Sequence, residues 1–218
     1  MKIPPFIREW FFYILNSQRN GLTPKALLDQ AERKTGFSDW GDWPFLEPMT
    51  VLLDALHREA QLNYQGKFVL AHHYHRLLTN LLKLVEDWKR NPEIASVPLC
   101  PPIYVVGFPR TGTTYLHRLL SLNPAHRSLQ YWELLFPSPP PDPTTYARDS
   151  RIRMAKLFVR GLDFLSPQLS SIHCLNPTGA EECCFIFDHF FLAHIHHLVF
   201  DVPSYIQWYH RHDPLPSY

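Results

Sequence analysis

The chain has 218 residues, and its 21 Lys+Arg against 20 Asp+Glu leave a formal net charge of +1. A balance so close to zero offers no global field to recruit nucleic acid or an anionic membrane, and 45% hydrophobic with 19% charged residues excludes a disordered or low-complexity protein. The 21 prolines are about twice the usual share of ~5%, and the eight glycines about half the usual ~7%, so the chain has many hard stops and few flexible joints.

The longest apolar run near the start, Trp10 to Leu15, is far short of the ~20 residues that span a bilayer. It lacks an extended hydrophobic core and a small-residue cleavage site, so no signal peptide is expected. Thr23 is placed to cap a helix with Pro24 at its first position, carrying Leu27, Leu28 and Ala31 until Gly36. A second helix is expected after Pro48, carrying Leu52, Leu53 and Leu56 towards Tyr64. The third is the clearest: Leu70, Tyr74, Leu77, Leu78, Leu81, Val85 and Trp88 recur on one helical face, and Asn91-Pro92 stops it. Residues 1–97 therefore read as a helical N-terminal extension.

The pattern changes after Pro98, Pro101 and Pro102. Ile103-Tyr104-Val105-Val106-Gly107-Phe108 is a short β-rich apolar run bounded by turn residues, the pattern of a fully buried strand. Helical spacing resumes from Tyr115 to Leu122, near Asn123-Pro124. Pro137 to Pro143 reads as an extended surface segment. Asp142 is expected to cap a helix with Pro143 at its first position, directing Ile152, Ala155, Val159 and Leu162 inward until Pro167. Cys183 to Phe187 and His197 to Asp201 read as two weak strands, and the whole of 98–218 as part of an α/β domain.

Between the strand and the next helix lies Gly107-Phe108-Pro109-Arg110-Thr111-Gly112-Thr113-Thr114. Its spacing is that of the phosphate-binding P-loop, G-x-x-x-x-G-K-[ST], in which backbone N–H groups and a helix N-terminus cradle an oxyanion. Thr113 stands where that motif has lysine, and the cation is Arg110 inside the loop. The loop therefore suits an oxyanion and argues against ordinary ATP or GTP hydrolysis.

From Ile103 to Thr114, followed by His117-Arg118-Leu119-Leu120, the chain resembles the sulfotransferases that use 3′-phosphoadenosine 5′-phosphosulfate (PAPS), whose donor loop reads P-[RK]-[ST]-G-T-T after a strand. Asn123-Pro124 and Trp132-Glu133-Leu134-Leu135-Phe136-Pro137 resemble the PRSGTT-type branch common in bacteria. The resemblance runs from about Pro102 to Pro137, with weaker likeness in Pro177 to Glu182 and Asp201 to Tyr205. It implies a P-loop-containing α/β fold, a parallel sheet flanked by helices, of which 98–218 would be the N-terminal part. It also implies sulfuryl transfer from PAPS to a hydroxyl acceptor without a metal. Arg110 would stabilise charge on the bridging oxygen, and Thr111, Gly112, Thr113 and Thr114 would hold the 5′-phosphosulfate. Glu133 is the first candidate for the acceptor's base, with a glutamate closing a salt bridge as its structural reading; Glu181 and Glu182 are the alternatives, with a helix-capping pair as theirs.

The family continues through further strands, 3′-phosphate ligands and an adenine loop that no run here matches, so the sequence reads as an incomplete member. Two other readings stay open: a non-catalytic fragment that binds a partner, and a P-loop nucleotide kinase, which Thr113 disfavours. Cys100, Cys174, Cys183 and Cys184 form no C-x-x-C pair, which suits a reducing, cytoplasmic setting. The histidine groups His72-His73-x-His75 and His194-x-His196-His197 lack metal-site spacing and read as packed or surface residues. Arg148, Arg151, Arg153, Lys156 and Arg160 read as a solvated basic face, with contact to an anionic acceptor as the alternative. Phe185, Phe187, Phe190 and Phe191 read as core or pocket lining.

Overall fold

The computed structural model describes residues 22–98, 100–108 and 111–212. The run Trp10 to Leu15, the loop residues Pro109 and Arg110, and Asp213 to Tyr218 lie outside the described residues. In chain order the helices are α1 (Pro24–Thr35), α2 (Leu46–Arg58), α3 (Tyr64–Arg90), α4 (Thr113–Leu120), α5 (Tyr131–Leu135), α6 (Ser150–Leu165), α7 (Leu169–Ile172), α8 (Cys184–Phe187), α9 (Ile195–Val199) and α10 (Pro203–Tyr209). The chain divides into two compact units: residues 1–86 with 186–218, and residues 87–185.

The first unit is helical, and its local signals act as expected. Thr23 Oγ1 accepts from the Ala26 N–H at 3.3 Å, Pro24 opens α1, and Gly36 ends it in the left-handed region at φ 75° with its N–H on Glu32 O. Helix α2 begins at Leu46, two residues before Pro48, and ends at Arg58 rather than running towards Tyr64. Proline in the first turn gives up no intrahelical bond, so it does not mark the start. Leu27 and Ala31 of α1, Met49, Leu52 and Leu56 of α2, and Leu70, Tyr74, Leu77, Leu78 and Leu81 of α3 form one core. Trp88, expected on the same face, is half exposed in the last turn of α3. The distant residues Phe191, Val202 and Tyr205 complete this core, and the Tyr205 hydroxyl donates to Phe191 O at 2.7 Å. Phe191 is fully buried and Phe190 packs against the same core, as expected for the aromatic segment.

The histidine-rich stretches pack around a buried carboxylate. His73 Nε2 lies 2.9 Å from Asp188 Oδ2, His196 Nε2 lies 3.3 Å from Oδ1, and His189 Nε2 lies 2.9 Å from Asn80 Nδ2. Burial pushes the Asp188 carboxyl up, but His73, by charge and hydrogen bond, with His196 and Arg76, holds it well below the usual carboxylate range. Burial lowers His196 to about 4, against the opposing pull of Asp188.

The second unit departs from the expected α/β pattern. Among the described residues there is no strand; the one β-type pairing is an isolated antiparallel bridge between Gln130 and Ala180. Ile103 to Phe108 is extended but exposed: Tyr104 is 78%, Val106 88% and Phe108 83% accessible. A strand is a relation between segments, and none of the described residues supplies this run with a neighbour. Cys183 to Phe187 and His197 to Asp201 likewise form no strand; α8 and α9 occupy most of them.

Helix α6 also starts later than expected. Asp142 Oδ1 accepts from the Thr144 N–H and hydroxyl, both at 2.7 Å, and closes a turn; the helix cap is Asp149, which accepts from the Arg151 N–H at 2.9 Å. Ala155 and Val159 then face inward as expected and pack on Tyr131, Trp132 and Leu135 of α5. Arg148, Arg153, Lys156 and Arg160 are exposed, whereas Arg151 is buried: its guanidinium lies 4.7 Å from the Trp132 ring and bonds Asp149 and the Phe136 and Pro139 carbonyls. No helix of the described residues is long and apolar enough to cross a membrane.

Leu77→Ala, at a fully buried site of α3, is expected to cost about 2–5 kcal/mol by denaturant unfolding. His196 is neutral in the fold and has a depressed pKa there, so its contribution is complete above ~6.5, the unfolded value, and is lost as pH falls towards 4. Thermal melting of wild type is therefore expected to fall more steeply between pH 7 and 4.5 than that of His196→Gln.

Candidate functional site

The loop of interest joins the extended run to α4. A Cβ on Gly107 would fall 2.9 Å from Thr113 Cγ2 and 3.0 Å from Thr111 Oγ1, so the loop's own threonines close over that position. Gly112 caps α4 with φ +92°, a conformation that L side chains rarely adopt, and a Cβ there would meet nothing within 4 Å. The first N–H groups of a helix have no intrahelical acceptors and carry the positive end of its dipole.

The threonines differ in what they offer. The Thr111 N–H and hydroxyl both donate to Phe108 O, at 3.3 and 2.6 Å, which shapes the turn. Thr113 and Thr114 are half-buried in the first turn of α4. The Thr114 hydroxyl donates to Glu182 Oε1 at 2.6 Å.

That contact brings the second pair of candidate carboxylates to the loop. Glu181, beside Glu182, is buried; its Oε1 accepts from the Glu182 N–H at 3.1 Å and lies 3.1 Å from His173 Nε2. Arg118 of α4 stands 3.6 Å from Glu181 Oε2 and donates to Cys174 O at 2.8 Å. The hydrogen bond to Glu181 raises the His173 pKa against the lowering effect of burial, and the charges of Glu181 and Glu182 add to the rise. Glu181 and Glu182 lie just before α8, which starts at Cys184. Donor atoms of His173, Glu181 and Glu182 lie within 4.8 Å of one another, the spacing of a metal site. Arg118, His173 and the Thr114 hydroxyl already answer the two carboxylates, and a guanidinium at this distance opposes a bound cation.

Glu133 sits elsewhere in the same unit, buried at the third position of α5. It forms a reciprocal capping box with Gln130, whose N–H donates to Glu133 Oε2 at 2.8 Å. The Tyr146 hydroxyl donates to Oε2 at 2.8 Å, and Arg127 bridges both oxygens, at 2.5 Å to Oε1 and 3.3 Å to Oε2. Burial, reinforced by the hydrogen bond to Glu133, pushes the Tyr146 hydroxyl up to about 12.

Three backbone hydrogen bonds splice these parts together. The Tyr131 N–H donates to Gly179 O at 3.1 Å, the Trp132 N–H to Pro177 O at 3.0 Å, and the Glu181 N–H to Leu129 O at 3.0 Å. The helix bearing Glu133 and the segment bearing Glu181 and Glu182 are thus one backbone assembly, tied to the loop through Thr114. Sequence reading found the carboxylates but missed their partners Arg118, Arg127, Tyr146 and His173. The Gln130-x-x-Glu133 spacing was a legible capping signal; nothing in the sequence joins Arg118 to Glu181, 63 residues away.

A profile of the sulfotransferase family matches residues 101–218. No curated protein matches the chain. Two solved structures do. Sulfotransferase STF1 from Mycobacterium tuberculosis H37Rv is 31% identical, with a TM-score of 0.80, over 92% of this chain and 56% of its own. Sulfotransferase STF9 from Mycobacterium avium, 24% identical with a TM-score of 0.79 over 90% of this chain and 51% of its own, shares the fold. The chain therefore spans about half the length of these structures. With the family profile covering more than half of the residues, the loop and both carboxylate groups included, the chain belongs to the sulfotransferase family.

Proposed function

We propose that this chain takes part in sulfuryl transfer from PAPS to a hydroxyl acceptor, with residues 107–114 as the donor loop. The observation that supports the reading is the left-handed Gly112 that opens α4, so that the loop leads into a helix N-terminus whose first N–H groups have no intrahelical acceptors. Arg110 would meet the charge that develops on the bridging oxygen. In the reaction the bond from sulfur to that oxygen breaks and a bond from sulfur to the acceptor oxygen forms. The acceptor proton passes to a carboxylate, leaving a sulfate ester and 3′,5′-adenosine bisphosphate. Positioning and electrostatics would supply most of the acceleration.

Among the candidate bases, the geometry favours Glu182. It is half-buried and in contact with the loop through Thr114, whereas both Glu133 oxygens are held by Arg127, Tyr146 and the Gln130 N–H. Glu133, preferred from the resemblance, would then be the strut that orients α5, and Glu181 the anchor for Arg118 and His173. The same reading takes 98–218 as part of a P-loop domain with a parallel sheet flanked by helices, 1–97 as its helical extension, and the cytoplasm as its setting.

Calorimetry with 3′,5′-adenosine bisphosphate is expected to show binding that weakens about ten- to a hundredfold in Arg110→Ala, the loss of one charge-assisted contact. A preference for ATP with magnesium would overturn the reading in favour of a nucleotide kinase. Glu182→Gln is expected to lower turnover by about 10²–10⁴ with donor binding retained. Glu133→Gln is expected instead to lower stability, by about 1–3 kcal/mol in denaturant, because Arg127 loses its buried counter-charge. A Glu133→Gln protein of wild-type stability that has lost turnover would return the role of base to Glu133.

A further inference from the structure

Helix α4 begins at the loop, yet none of its eight residues is buried. Among the described residues, the α4 side chains that hydrogen-bond outside the helix are Thr114 and Arg118, four residues apart and so on one face. Both reach the same stretch of chain, residues 174–182. The Thr114 hydroxyl donates to Glu182 Oε1 at 2.6 Å, and Arg118 Nη2 donates to the Cys174 carbonyl at 2.8 Å. The same Nη2 stands 3.6 Å from Glu181 Oε2, just beyond hydrogen-bonding distance. The Glu181 side chain is only 1% exposed. Its Oε1 accepts from the Glu182 N–H and faces His173, whereas Oε2 is buried with no hydrogen-bond donor among the described residues. A buried carboxylate oxygen left without a donor is costly, so the bond from Arg118 to Oε2 is one that the local energetics favour making. A guanidinium has five N–H donors, and closing on Glu181 does not require it to release Cys174.

We propose that Arg118 is a positioning residue that couples occupancy of the loop to the setting of the carboxylates: when an oxyanion is seated at the start of α4, Arg118 closes on Glu181 Oε2 and fixes Glu181 and Glu182 together. The coupling follows from the shortness of the helix. Eight residues of α-helix move as a unit, so whatever holds the first turn also holds Arg118, one turn further on. Thr114 already ties that first turn to Glu182. A bound oxyanion restrains the same turn from the other side, and the bond to Oε2 is the contact still to be made. Once it forms, Glu181 is held through both oxygens, and its Oε1 holds the backbone N–H of Glu182. Arg118 touches neither donor nor acceptor in this scheme; it acts through Glu181. Linkage makes the effect reciprocal, so a clamp that cannot close weakens binding at the loop. The inference rests on the reading of residues 107–114 as the donor loop and of Glu182 as the base.

The test combines calorimetry with amide exchange on the 218-residue chain, with 3′,5′-adenosine bisphosphate as the probe. In wild type, saturating probe is expected to slow exchange on peptides covering Glu181 and Glu182 by about tenfold or more. In Arg118→Ala the affinity is expected to fall about five- to tenfold, the slowing at these peptides to disappear, and exchange in α3 to stay unchanged. Arg118→Lys, which keeps a cation near Oε2, is expected to recover part of both effects. An arginine with a merely structural role would change exchange equally with and without the probe, and that result would overturn the inference. Glu181→Gln is expected to reproduce the loss, with no further loss in the double variant with Arg118→Ala. Should Arg118→Ala unfold, seen as lost protection in α3, Arg118→Gln, which can still donate hydrogen bonds but carries no charge, is compared with Arg118→Lys in its place. Wild-type affinity and intact slowing in the uncharged variant would overturn the inference and leave the donor-loop reading standing. Absence of probe binding by wild type would remove that reading and this inference with it.

Discussion

The backbone splice between residues 129–132 and 177–181 is the constraint on which the candidate site depends. These segments are some fifty residues apart in the chain, and neither is a strand; three N–H···O bonds of 3.0–3.1 Å hold them in antiparallel contact. On one side of the splice, α5 begins with its capping box already formed around Glu133. On the other, Glu181 and Glu182 leave in a fixed direction, one towards Arg118 and His173 and the other towards Thr114. Backbone bonds are indifferent to side-chain identity, so the splice can hold geometry while the residues around it carry chemistry.

Charge inside the molecule follows one rule. A buried ion is retained only with opposite charge and enough hydrogen bonds to replace its lost water. Arg151 meets it with the Asp149 carboxylate, two carbonyls and the face of Trp132. Glu133 meets it with Arg127, Tyr146 and a backbone N–H. Glu182 is half-buried, and among the described residues the Thr114 hydroxyl donates to it.

How much was legible in the sequence depends on whether the signal was local. Thr23, Pro24 and Gly36 bracket α1 within one turn at each end, and the apolar spacing of α3 needs no knowledge of its partner, so both elements were readable. Ile103 to Phe108 has the composition of a buried strand, but burial requires something to do the burying, and none of the described residues does. Asp142 and Asp149 are both competent caps; the choice fell to Asp149, whose carboxylate also bonds the Arg151 guanidinium, buried on Trp132. The spacing of the loop glycines raised the expectation of an oxyanion site. The partners of the carboxylates, Arg118 with Glu181 and Tyr146 with Glu133, come together only through tertiary packing.

The core of the first unit is assembled from two stretches of chain with the whole second unit between them. Leu70, Tyr74 and Leu77 of α3 pack with Phe191, Val202 and Tyr205, which are synthesised more than a hundred residues later. At ~5–20 residues per second, translation leaves the apolar face of α3 unsealed for on the order of ten seconds. During that interval the nascent chain is a substrate for chaperones and proteases. A chain that stops before Phe191 would therefore leave the N-terminal helices with an open core.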